Sequence, residues 1–111
     1  MAEGNGLGVA TYRLAKQLPA SEGYGLASQM QRAAVSIPAN IAEGQGRRHL
    51  GDYLHHLSVA NGSLKELGTH LLIAERLAHV QRGDVNPVLE AAFEVGRMLT
   101  GLIRKLRTRL A

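Results

Sequence analysis

The chain has 111 residues, the size of one small domain, and is 45% hydrophobic but only 4% aromatic, with no Trp and one Phe. Its core must be assembled from Leu, Ala, Val and Ile. It contains no Cys, which excludes disulfides, thiolate catalysis and Cys-based zinc sites. The formal charge of +4 is localised: Arg97, Arg104, Lys105, Arg107 and Arg109 follow Val95 with no acid among them, whereas residues 1–94 hold the other eight bases and all nine acids. The N-terminal residues lack the basic and apolar regions of a secretory signal. No apolar run approaches the roughly 18 residues of a membrane span. The expected setting is cytoplasmic, without membrane contact.

Gly4, Gly6 and Gly8 mark residues 1–8 as a flexible leader, with residues 9–111 forming one domain. A short first helix is expected over about Leu7 to Leu18, stopped by Pro19. The second is expected from Tyr24 to Gly46, with Ser21 as a candidate N-cap. Its apolar positions Leu26, Met30, Ala33, Ala34, Ile37 and Ile41 step by three or four. The third, from His49 to Val80, carries a sustained heptad. Leu50, Leu57, Leu64, Leu71 and Ala78 repeat every seven residues, interleaved with Tyr53, Ala60, Leu67 and Ala74. Val59, Leu72, Ile73 and Leu77 lie off that seam and pack either within the chain or against another copy. Gly83 reads as a break, Asn86 as a cap and Pro87 as the first position of the fourth helix, which runs to about Leu110. Val88, Ala92, Val95, Leu99, Leu102 and Leu106 form its seam, and Leu89, Phe93, Ile103 and Leu110 a second stripe. No strand-like alternation appears. The predicted fold is all-α: an antiparallel up-down four-helix bundle with a short first helix and a Pro-kinked second helix.

Candidate chemistry is sparse. His49, His56 and His70 share one heptad position, with His55 beside them, and Asp52 lies one turn before His56. His49 and His56 are about 10 Å apart along a helix axis, too far to share one ion without outside ligands. Glu90 and Glu94 share a face but sit near Arg97, so solvated ion pairs are the ordinary outcome. Ser36, Ser58 and Ser63 have no base nearby in sequence. The turn Gly44-Gln45-Gly46-Arg47-Arg48 lacks the spacing of a phosphate-binding loop, and no strand precedes it. No catalytic residue, metal ligand or cofactor is therefore assigned. Pro38 removes a backbone donor inside a helical pattern, and Asn40 is expected to satisfy backbone groups that this frees.

Around that proline, Ser36-Ile37-Pro38-Ala39-Asn40-Ile41-Ala42-Glu43-Gly44, preceded by Tyr24-Gly25-Leu26, Gln29 and Arg32-Ala33-Ala34, resembles the signature of the four helix bundle protein family. This family includes the intervening-sequence proteins encoded within bacterial large-subunit ribosomal RNA genes. Asn61 to Leu67 and Gly101-Leu102-Ile103 resemble its later helices, and the similarity covers about Tyr12 to Leu106. The resemblance implies an antiparallel four-helix bundle assembled as a homopentamer. It implies structural roles for Ser36, Ile37, Pro38, Asn40, Ile41, Glu43 and Gly44. The accessory variability determinant of diversity-generating retroelements, a related protein, binds nucleic acid and a reverse transcriptase through a basic surface. The family's first helix is usually about ten residues longer than the match here.

Together these features point to a non-enzymatic, self-associating scaffold. Its expected partners are RNA or DNA, or a nucleic-acid-handling protein. Arg97, Arg104, Lys105, Arg107 and Arg109 are the contact candidates, with Arg47 and Arg48 as a second patch. Five copies would gather about 25 positive charges from the C-terminal segment. The competing possibility is a metal-binding or hydrolytic enzyme that uses the histidine stripe.

Overall fold

Apolar residues stepping by three and four fold the chain into four helices in the computed structural model, which describes residues 2–110, with side chains from Gly6 onward. They are α1 (Ala2–Ala15), α2 (Leu26–Gln45), α3 (Leu50–Arg76) and α4 (Arg82–Leu110), with a 3₁₀ turn at Ala20–Glu22 between α1 and α2. No strand occurs among the described residues. Each helix touches the next in sequence and α4 touches α1, whereas no diagonal pair is in contact among the described residues. Short connections between consecutive neighbours make this a square, antiparallel, up-down bundle. The molecule measures 47 × 23 × 20 Å. At 1.5 Å per residue α4 alone is about 43 Å long and sets the long axis.

The core is the predicted aliphatic one. Met30, Ala34, Ile37 and Ile41 from α2, Leu57, Ala60, Leu67, Leu71 and Ala74 from α3, and Val85, Val95 and Leu99 from α4 are essentially inaccessible. Burying each large aliphatic side chain contributes about 1.5–3 kcal/mol. Leu7, Leu14 and Ala15 bring α1 into the same cluster. Thr11 is the one buried polar side chain among the described residues, and its hydroxyl donates to the Leu7 carbonyl at 2.8 Å, so its burial leaves no unpaired group.

The helix ends depart from expectation in four places. The glycine-rich start, expected as a leader, lies within α1, and buried Leu7 already belongs to the bundle before residue 9. Ser21 caps nothing: it is exposed in the 3₁₀ turn, and Gly25 occupies the position before α2. α4 starts at Arg82, so Gly83 does not break the chain and Pro87 lies inside the helix. Complete burial of Val85 draws that first turn into the core ahead of Asn86.

The fourth departure is the end of α3. Ala78, predicted on the heptad seam, is exposed and left-handed, with φ of 60°. The His79 N–H bonds the Ala74 carbonyl at 3.0 Å and the Ala78 N–H bonds that of Glu75 at 2.9 Å. These are the two bonds of a Schellman stop, with alanine where glycine is usual. Leu50 and Tyr53, also predicted on the seam, are only half-buried, and Leu54 is buried instead. Of the second α4 stripe, Ile103 is buried, but Phe93 and Leu110 face solvent.

Ala78→Gly should raise stability by about 0.5–1 kcal/mol, because glycine adopts the left-handed conformation without the Cβ penalty. Leu67→Ala should lower it by about 2–5 kcal/mol through a cavity in the centre of the core. Thermal and denaturant melts followed by circular dichroism measure both.

Candidate functional site

Ser36, Asn40 and Gly44 follow one another at four-residue steps on α2 and form a stripe against α3. At the first step, the Ser63 hydroxyl donates to Ser36 Oγ at 2.8 Å. At the second, Asn40 Oδ1 lies 3.1 Å from His56 Nδ1. At the third, Gly44 is buried, and a Cβ placed there would fall 2.8 Å from Tyr53 Cδ1 and 3.0 Å from His56 Cβ. Only a hydrogen in place of a side chain permits that approach.

Asn40 ties these contacts together. Its Nδ2 donates to the Ser36 carbonyl at 2.8 Å and to Ser36 Oγ at 3.0 Å. With the amide nitrogen committed to those acceptors, Oδ1 faces His56 as an acceptor, so Nδ1 of His56 carries the hydrogen. The half-buried chain His56–Asn40–Ser36–Ser63 therefore crosses from α3 to α2 and back. No buried side-chain polar atom among the described residues lacks a partner.

Asn40 was expected to compensate the proline, and it does bond a backbone carbonyl. That carbonyl belongs to Ser36, however, whereas the acceptor deprived of its donor by Pro38 is four residues earlier, at Ala34. The Ala34 oxygen lies toward α1, 3.9 Å from where a Cβ on Gly8 would stand. The motif thus divides by face: Ile37 and Ile41 fill the core, Ser36, Asn40 and Gly44 meet α3, and Pro38 borders a surface groove against α1 beside Val9 and Tyr12. Glu43 points outward and pairs with Arg47 at 2.6 Å. Both partners are exposed, so the pair adds little stability.

Neither serine of this cluster is bonded to an imidazole. The histidine stripe is dispersed: His49 and His55 are exposed, and His56 is held by Asn40. No group of three His, Asp or Glu side chains able to hold a metal ion occurs among the described residues. His79, which drew no attention in the sequence, lies 3.1 Å from Glu22 and links the loop after α3 to the 3₁₀ turn.

The basic residues are placed by topology. In an up-down bundle the α2–α3 turn and the C-terminus of α4 lie at the same end, so Arg47 and Arg48 share that end with the last turn of α4, which carries Arg107 and Arg109, whereas Arg104, with Lys105 next to it, stands higher, beside Ser58 and Asn61 of α3. The two sequence patches thus lie in the same half of the molecule. All six side chains are exposed, and only Arg47 forms an ion pair among the described residues. Arg107 and Arg109, in the last turn of α4, also complement its unpaired carbonyls. Arg97 stands apart, about 10 Å further along α4, at one turn of helix per 5.4 Å. No helix among the described residues is long and apolar enough to cross a membrane.

An antiparallel four-helix bundle clasped between its second and third helices defines the class. The family model of the 23S rRNA-intervening sequence proteins matches residues 2–101, and the chain belongs to that family. A crystal structure of a protein of unknown function from the S23 ribosomal protein family of Bacteroides thetaiotaomicron VPI-5482 has the same fold. Its TM-score is 0.84 at 22% identity, over 92% of this chain and 95% of that one. No curated protein matches the chain.

Gly44→Ala should destabilise the bundle by about 1–3 kcal/mol, since the Tyr53 ring and the Cβ of His56 must move away from α2. Gly62→Ala should have the opposite sign, adding up to about 1 kcal/mol of helix propensity, because a Cβ there meets nothing within 4 Å. Paired denaturant melts give both values. Equal effects at the two glycines would contradict the close approach assigned to Gly44.

Proposed function

We propose that this protein is a non-catalytic, self-associating helical scaffold of the cytoplasm whose basic end engages the phosphate backbone of a nucleic acid. The observation that carries this reading is the run of Arg104, Lys105, Arg107 and Arg109 over the last turns of α4, in the half of the bundle that also holds Arg48, all exposed and without an acidic partner among the described residues. Cations so arranged release counterions from a polyanion, which favours binding and makes it steeply salt-dependent. Base-specific recognition is not part of the proposal. Phe93 and the three Tyr are the only aromatic side chains, too few for a stacking platform.

Self-association is supported by apolar side chains left in solvent. Val9, Tyr12 and Val35 lie exposed on the α1–α2 side, and Val59, Ile73 and Leu77 on α3. The off-seam residues of α3 thus remain outside the core of a single copy. The homopentamer implied by the family resemblance is the assembly we propose, with five basic ends in one particle and a correspondingly stronger field.

Titration of a single-stranded RNA at about 50 and 200 mM salt should show a steep loss of affinity. In the Lys105→Ala, Arg107→Ala, Arg109→Ala triple variant, the slope of log K against log salt should fall by about 2, at roughly 0.7 per phosphate contact. An unchanged slope would remove the basic end as the site. Native mass spectrometry should give a multiple of the 11.9 kDa chain mass, near five copies. A monomer would overturn the scaffold.

A further inference from the structure

The bundle's core does not fill the groove between α3 and α4. That groove runs from Leu72 and Leu89 at one end to Asn61 and Arg104 at the other, with a volume of about 770 Å³. The α4 span is about 22 Å long at 1.5 Å per residue, which accommodates four turns of a helix. Its two ends differ in chemistry. Near the start of α4, Leu72 and Phe93 are 50% and 63% exposed beside half-buried Leu89. Toward the basic end, Lys65 of α3 and Arg97 and Arg104 of α4 border it, and no Asp or Glu does. Between them Gly68 and Gly101 leave the trough open, since a Cβ on either would meet nothing within 4 Å.

We infer that this groove docks an acidic amphipathic helix from another protein. Apolar side chains on one face of the incoming helix cover Leu72, Leu89 and Phe93. Its carboxylates lie toward Lys65, Arg97 and Arg104. Helix-in-groove recognition needs an apolar trough that takes side chains at i, i+3, i+4 and i+7, and the cations fix the sign of the partner's charge and its register. A nucleic acid would set phosphates against Leu72, Leu89 and Phe93 without covering them. A second copy is a poor occupant on charge grounds. Two such grooves face to face would oppose Arg97 and Arg104 to each other, and in a ring of copies the neighbour would have to set an acidic, apolar face against the groove. Among the helical acids, Glu66 follows Lys65 and Glu43 pairs with Arg47, and the one acidic stretch, Asp84, Glu90 and Glu94, lies on α4, whose Val85, Val88 and Ala92 are already buried in its own bundle. The inference goes beyond the nucleic-acid reading, whose test changes Lys105, Arg107 and Arg109 and leaves this groove intact, so either can fail alone.

The experiment uses the full chain and three labelled synthetic peptides of about 16 residues, roughly 24 Å as helices. One has a Leu stripe with Glu flanks, one the same stripe with Lys flanks, and one the Glu composition scrambled. Fluorescence anisotropy should show the ordered Glu peptide binding at least about tenfold more tightly than either comparison. Leu72→Ser with Phe93→Ser, both at exposed positions, should remove that binding, and Arg97→Glu with Arg104→Glu should transfer preference to the Lys peptide. Equal binding of the scrambled peptide, or no effect of the Leu72 and Phe93 changes, would overturn the inference. So would a drop in the native mass of the Leu72→Ser, Phe93→Ser variant, which assigns the face to a second copy, or loss of its RNA binding, which assigns the face to nucleic acid.

Discussion

The close approach of α2 and α3 at Gly44 is the constraint around which the bundle is arranged. With no side chain at that position, the aromatic ring of Tyr53 and the Cβ of His56 come close against α2. One and two turns earlier, Asn40 and Ser36 then lie within hydrogen-bond range of His56 and Ser63. A larger separation would break all of these contacts together and leave half-buried amide and hydroxyl groups unpaired, at roughly 1–3 kcal/mol for each buried group. Such a network specifies register as well as stability, because a shift of α3 by one turn would mispair every member.

The seam also gives the conspicuous motif a structural role. Serine, asparagine and histidine suggest chemistry when read as a list. In the bundle the amide of Asn40 separates the imidazole from both hydroxyls and uses its donors on Ser36. The cluster joins the two helices, and the interactions we propose lie elsewhere: at the cations of α4 and at the apolar side chains left in solvent.

Helix number, type and order were legible in the sequence because the period of Leu, Ile, Val and Ala directly reports which face is buried. Motif residues were legible too, but their division of labour was not. Ser63 and Tyr53 lie on a different helix from Ser36 and Gly44, and nothing along the chain states which turn of α3 meets which turn of α2. The helix ends were the least legible. Ala78 stops α3 in a left-handed conformation that normally announces itself as glycine. Val85 draws α4 forward past Asn86 and Pro87, the residues whose local preferences mark a start. Local propensity was overridden there by burial. That Arg47 and Arg48 share an end with the last turn of α4 was recoverable from the predicted topology, since an up-down order places those two segments at the same end.

The ring of neighbours α1–α2–α3–α4–α1 has a consequence for the entropy of the chain. Three of its four contacts join consecutive helices across short loops, so each can form at a small loop-closure cost. Only α1 against α4 brings the two ends of the sequence together. The non-local part of this topology is concentrated in that single seam, and the rest of the molecule is a run of local hairpins, the arrangement associated with rapid folding.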